Sequence, residues 1–191
     1  IKPLAQDIDS NMKFPKKSID KMSDLGLMGI PWPEKYGGTG MDTTALVIAV
    51  EEIGKVCAST AATMMAHTSL GTGPIFYFGT QEQKDKYLKK LASGKMIGAF
   101  GLTEPSAGSD AGNTKTTAIK DGDNYIINGQ KVFCTNAGVA GTIIITAKIL
   151  DRETDKGIGA FIVESDTPGL TIGNKENKMG WKASDTRSVF F

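Results

Sequence analysis

The chain has 191 residues, with 22 Lys and Arg against 21 Asp and Glu, a net charge of +1 and 40 % hydrophobic content. That is apolar material for one large or two small domains, and a near-neutral chain without long single-sign runs lacks the electrostatic footprint of a nucleic-acid or membrane-surface binder. No stretch approaches the roughly 18 apolar residues of a membrane span, and Cys57 and Cys134, each among apolar or small residues, argue against a disulfide framework or metal cluster and for a reducing compartment.

Helical spacing comes first along the chain. Ile19, Met22, Leu25 and Leu27 recur at helical intervals, predicting a helix over 14–26 that ends at Gly26 and Gly29. Pro31, Trp32, Pro33 and Gly37-Gly38-Thr39-Gly40 then predict an irregular loop. Asp42 is placed to cap a helix over 43–56, where Leu46, Val47, Val50 and Ile53 form the apolar stripe and Glu51 and Glu52 turn to solvent. The run 59–70 is small and apolar nearly all round, which predicts burial between other helices. Thr80-Gln81-Glu82-Gln83 is a capping-box pattern that opens a helix over 80–94, with Tyr87, Leu88 and Leu91 inward and Gly94 as its stop.

After Gly94 the period falls from near four to two. Runs at 96–102, 114–120, 125–128, 132–135, 142–149, 160–163 and 170–172 are rich in Thr, Ile, Val and aromatics. Turn residues such as Asp121-Gly122-Asp123-Asn124, Asn128-Gly129 and Thr167-Pro168-Gly169 separate them. Strands this short and this closely spaced predict a sandwich or barrel. The expected fold is α+β and multidomain, an all-helical domain over 1–95 followed by an all-β barrel domain over 96–191. Because the chain opens on Ile1-Lys2-Pro3 and stops at Val189-Phe190-Phe191 in what reads as mid-strand, a piece of a longer protein is expected.

Common site signatures fail. Gly37-Gly38-Thr39-Gly40 follows no strand and lacks dinucleotide-binding spacing, and 108–116 lacks the Gly-Lys-Ser/Thr ending of a phosphate loop. There is no Gly-x-Ser-x-Gly elbow, and the sole histidine, His67, has no second histidine with which to share a metal and reads as a packing residue before a catalytic one. Two stretches remain. Phe100-Gly101-Leu102-Thr103-Glu104-Pro105 leaves free N–H groups and a hydroxyl at a strand end, and Ser106 to Asp110 adds a polar nest suited to anionic oxygens or a heterocycle edge. In Lys131-Val132-Phe133-Cys134-Thr135, Phe133 and Thr135 would share one strand face and offer a ring an aromatic wall and a hydroxyl. On composition alone both stretches are equally well two ordinary barrel turns.

Together the stretches resemble the acyl-CoA dehydrogenases. Phe100-Gly101-Leu102-Thr103-Glu104-Pro105-Ser106-Ala107-Gly108-Ser109-Asp110 looks like that family's flavin-binding signature. Gly29-Ile30-Pro31, Glu34-Lys35-Tyr36-Gly37-Gly38, Phe78-Gly79-Thr80-Gln81-Glu82-Gln83, Tyr125-Ile126-Ile127-Asn128-Gly129-Gln130-Lys131, Asp166-Thr167-Pro168-Gly169 and Lys178-Met179-Gly180 keep step with it across nearly the whole chain. The nearest look is to short-chain, butyryl-CoA-type members. The resemblance implies FAD as cofactor, held by Phe100, Leu102, Thr103, Ser109, Phe133, Cys134 and Thr135, with Ser109 also on the CoA side of the substrate and the Thr135 hydroxyl near the hydride-accepting nitrogen. It implies an acyl-CoA substrate oxidised to the trans-2-enoyl-CoA, electron-transfer flavoprotein as partner, a homo-oligomer that is tetrameric at full length, and the bacterial cytoplasm or the mitochondrial matrix of a eukaryote. Helix 60–70, with Met64, Met65 and His67, would help line the acyl pocket. Many relatives carry tryptophan where this chain has Phe133. The family's glutamate base lies in a C-terminal helical domain outside this chain, Glu104 does not stand in for it, and the isolated chain is expected to be inactive. The alternatives are an enoyl-CoA reductase, a branched or cyclic acyl-CoA dehydrogenase, or a non-catalytic flavin and CoA-binding relative.

Overall fold

The computed structural model describes residues 1–151 and 154–191. Amphipathic spacing in the first half becomes helices α1 (Lys2–Ser10), α2 (Lys16–Asp24), α3 (Thr43–Gly54), α4 (Ala58–Met65), α5 (Gly73–Phe78) and α6 (Gln81–Ala92). Ile19, Met22, Leu46, Ile53 and Met64 bury the faces that α2, α3 and α4 turn to one another, with Met28 and Ile30 from the connecting loop. Asp42 caps α3 by accepting the Ala45 N–H at 2.8 Å. Thr80 and Gln83 make both arms of the capping box on α6. Thr80→Ala removes the side-chain acceptor for the Gln83 N–H and is expected to cost about 1 kcal/mol, read as a lower urea midpoint at unchanged slope.

Spacing alone did not reveal α1, whose single buried side chain, Ile8, makes no stripe. Nor did it reveal α5, hidden behind Gly73-Pro74, where Pro74 sits in the first turn and so costs no hydrogen bond. The run after α4 does not stay α-helical: Ala66–Thr72 widens into a π-helical turn. Val47, placed on the inner stripe of α3, is exposed.

The second half forms two facing sheets. In the first, β5 (Thr142–Asp151) pairs antiparallel with β6 (Thr154–Glu164) along one edge. Along its other edge it pairs in parallel with β1 (Gly98–Gly101) and then with β2 (Thr117–Asp121), which turns back as β3 (Asn124–Asn128). In the second, β8 (Thr186–Phe190) lies between β4 (Gln130–Thr135) and β7 (Thr171–Lys175), antiparallel to both. Ala99, Ile143, Ile145 and Val163 of one sheet meet Cys134 and Val189 of the other in a shared core. The parallel pairings were not anticipated, because β1 and β2 reach β5 with no α-helical crossover between the paired strands.

Helices and sheets meet at a polar junction centred on Gly98. His67 accepts the Gly98 N–H at Nδ1 (2.9 Å) and donates from Nε2 to the Leu91 carbonyl (3.1 Å), which fixes the neutral Nε2–H tautomer because one partner is only a donor and the other only an acceptor. Asn136 donates from Nδ2 to Thr63 O (3.1 Å) and Gly98 O (3.4 Å). Gly71 packs its main chain directly on that of Gly98. β1 is therefore pinned at its start by the helical half, and its far end carries the segment of interest.

Candidate functional site

β1 stops at Gly101 because the chain leaves the edge of β5 there, opposite Ile145, and β2 regains that edge at Thr117, opposite Lys148. The excursion between them holds the Thr103-Glu104-Pro105 turn and the Ser106 to Asp110 loop. Reciprocal bonds between the main chains of Glu104 and Ala107 (2.9 and 3.1 Å) close the loop on itself. Its entry runs beside β4: the Val132 N–H donates to Thr103 O at 2.8 Å, and the Cys134 thiol donates to Phe100 O at 3.2 Å. The two stretches singled out in the sequence are thus side by side.

Alternation along β4 is broken by a bulge between Lys131 and Cys134. It buries both of those side chains and leaves Phe133 between them 65 % exposed at φ +56°. A left-handed φ costs a bulky residue on the order of 1–3 kcal/mol and is held at positions where geometry is used. Phe133 and Thr135 flank the inward Cys134, so the aromatic wall stands outside the regular strand surface.

Thr103 and Thr135 are half-buried, yet neither hydroxyl, nor the Thr103 N–H, finds a hydrogen-bond partner among the described residues. Leu102 and Ser109 are exposed. Two residues from the sequence reading do not present side chains here. Phe100 packs into the cluster of Trp32, Tyr36 and Leu91 beneath β1. The Cys134 thiol is buried, which pushes its pKa up to about 12 and leaves it neutral. The acyl-lining expectation for helix 60–70 also needs correction: Met64 and His67 are fully buried within this chain, and Met65 alone of the three reaches the surface. His67 is a junction residue. A cleft of about 820 Å³ between α5, α6 and β6 contains none of the candidate residues, and exposed Leu102, Ser109 and Phe133 lie on a surface rim instead.

What motif reading missed is the group beneath that rim. Glu104, dismissed as a base, forms an ion pair with Lys131 at 2.7 Å, with both side chains buried. Burial alone would raise the carboxyl pKa, but bonds from Lys131, Thr114, Thr116 and the Lys115 N–H outweigh it and hold Glu104 at about 2. It stays an anion. Nothing local signalled it, because Glu104 sits in a polar turn and Lys131 at the start of a strand; once both are buried, each charge must find a partner.

Residues 1–95 match the family model described as acyl-CoA dehydrogenase, N-terminal domain, and residues 99–191 match that described as acyl-CoA dehydrogenase, middle domain. A probable acyl-CoA dehydrogenase of Bacillus subtilis is 52 % identical over 99 % of this chain and 50 % of its own length. A short-chain specific acyl-CoA dehydrogenase of Clostridium acetobutylicum is 48 % identical over 100 % of this chain and 50 % of its own. An acryloyl-CoA reductase (NADH) of Anaerotignum propionicum is 44 % identical over 100 % and 49 %. Among solved structures, one described as an electron transferring flavoprotein of Acidaminococcus fermentans superposes with a TM-score of 0.94 at 45 % identity, covering 100 % of this chain and 50 % of that one. A Bacillus anthracis acyl-CoA dehydrogenase complexed with FAD superposes with a TM-score of 0.90 at 37 % identity, covering 98 % and 32 %. The chain spans about half the length of the curated relatives it matches. With both halves matched in order, and the loop and the bulged strand side by side, the chain belongs to the acyl-CoA dehydrogenase family.

Proposed function

We propose that this chain is the flavin-holding part of a short-chain acyl-CoA dehydrogenase, with a helical domain over 1–95 and a β domain over 96–191. The observation that carries the reading is the pair of threonine hydroxyls, Thr103 and Thr135, without partners among the described residues, beside an exposed aromatic held at a left-handed φ. FAD fits this donor set: the Thr103 N–H and hydroxyl suit the polar edge of its ring, Phe133 suits a ring face, and the Thr135 hydroxyl suits the far edge. When bound, FAD would accept the β-hydride of an acyl-CoA as the α-proton is removed. Ser109 on the exposed loop is placed for the CoA side, and Phe100, Leu102 and Cys134 contribute main chain or backing. Glu104, locked as an anion under the rim, is not the base; that residue is assigned outside this chain, and the isolated chain is expected not to oxidise butyryl-CoA. Electron-transfer flavoprotein as acceptor, a homo-oligomer, and the bacterial cytoplasm or the mitochondrial matrix complete the reading; no described helix is long and apolar enough to cross a membrane.

The test is the absorbance spectrum of the full-length protein before and after addition of a panel of acyl-CoAs. A flavin band bleached most by butyryl-CoA is the expected result, and absence of bound flavin would sink the reading. Thr135→Val should weaken FAD binding about tenfold, the worth of one hydrogen bond, measured by titrating apoprotein. Similarity to a reductase favours one second reading, reduction of an enoyl-CoA. It predicts acryloyl-CoA-dependent NADH oxidation with little bleaching by saturated acyl-CoAs.

A further inference from the structure

Lys131 and Glu104 are 0 % and 3 % exposed in their side chains, an arrangement that stability does not call for. Apolar residues of similar volume in place of a buried ion pair are often neutral or stabilising. What this pair does have is reach. Lys131 Nζ donates to Glu104 Oε1 at 2.7 Å, Leu102 O at 3.1 Å, Thr114 Oγ1 at 3.1 Å and Thr146 Oγ1 at 3.3 Å. Glu104 also accepts the Lys115 N–H at 2.6 Å and the Thr116 N–H at 3.1 Å, together with the Thr114 hydroxyl. One ammonium thus ties the exit of β1, the turn after it, the approach to β2, the bulged strand β4, and β5 in the gap where the excursion has left its edge. The lysine stem reaches there by lying on Gly101, where a Cβ would stand 3.1 Å from its Cγ.

The candidate cofactor contacts are the neighbours of these anchors. Thr103 sits between Leu102, whose carbonyl is drawn inward by Lys131, and Glu104, whose carboxylate is held by it. Phe133 sits two residues beyond Lys131, on the bulge that opens between Lys131 and Cys134. Charge-assisted bonds are shorter and more directional than the packing that would replace them, and an apolar pair would leave the Leu102 carbonyl and the Lys115 and Thr116 N–H groups without these partners. We infer that Glu104 and Lys131 are positioning residues that fix the Thr103 main chain and the Phe133 bulge at the spacing the flavin edge requires, an inference that rests on the FAD reading above.

The test uses the full-length protein. Apoprotein of the wild type, Glu104→Gln, and the double variant Glu104→Leu with Lys131→Met is titrated with FAD, and visible circular dichroism of the bound flavin and thermal stability are recorded. The double variant is expected to stay folded with lower thermal stability, because those main-chain groups lose their partners, while binding FAD at least tenfold more weakly and changing the flavin dichroism. Glu104→Gln, isosteric but leaving the buried Lys131 ammonium without its anion, is expected to lower thermal stability and to weaken binding severalfold with the same spectral change. Wild-type affinity and an unaltered flavin spectrum in either variant would overturn the inference and leave the pair merely structural. If the double variant does not fold, Glu104→Gln decides by the same criterion. A wild-type protein that binds no FAD would instead overturn the reading beneath it.

Discussion

Gly71→Ala is expected to destabilise the protein by about 3 kcal/mol or more, a cost at the upper end of overpacking because the atoms in the way are backbone. A Cβ at Gly71 would lie 2.4 Å from the Gly98 carbonyl carbon and 2.7 Å from its Cα and O. No rotamer change relieves such a contact; the π-helical turn and β1 must separate. That separation would also break the bonds that Gly98 makes to His67 and Asn136, and it would move the strand whose far end is Leu102-Thr103. Urea unfolding followed by the fluorescence of buried Trp32 measures the loss, and FAD titration of the full-length protein measures the second effect. Gly180→Ala is the control, since nothing lies within 4 Å of a Cβ there, and surface changes of that kind stay within about 0.5 kcal/mol. A Gly71→Ala protein as stable as the Gly180→Ala control would refute the close approach.

Acidification is expected to act through His67. Burial lowers its pKa from 6.5 to about 4, outweighing the backbone bonds that favour the charged form. In the unfolded chain the group takes up its proton near pH 6.5, so the unfolded state binds more protons between pH 6.5 and 4, and folding stability falls as pH falls through that window. The contribution is fully present above about pH 6.5 and gone below about pH 4, and the shift corresponds to about 3 kcal/mol. A proton on Nδ1 would face the Gly98 N–H, two donors with no acceptor between them. Carboxylates titrate in the same range, so the measurement is the difference in unfolding free energy between the wild type and His67→Gln at each pH. That difference should shrink by about 3 kcal/mol from pH 7 to pH 4; a difference that does not change with pH would remove His67 from the account.

Much of this was legible in the residues. The capping box at Thr80, the cap at Asp42, and the change of period after Gly94 gave the helical half, the strand half and most element bounds, because caps and side-chain periodicity are local properties of the chain. The candidate site was legible as two stretches and, through resemblance, as a flavin site. Phe133 was read as part of a regular strand, and the bulge was not foreseen, because nothing within a six-residue window distinguishes a bulged strand from an alternating one. Phe100 and Cys134 carried the motif but point inward.

The sequence by itself determined the family, the order of helices before strands, and the residues from which a flavin rim could be built. Tertiary structure decided that the Thr103 turn and the Phe133 bulge lie together, that His67 joins helices to sheet rather than reacting, and that Glu104 is locked to Lys131 beneath the rim. The physical reason is distance along the chain: each of those facts is a contact between residues about 27 to 31 positions apart, fixed by which edge of β5 the chain leaves and regains, and no local pattern encodes that.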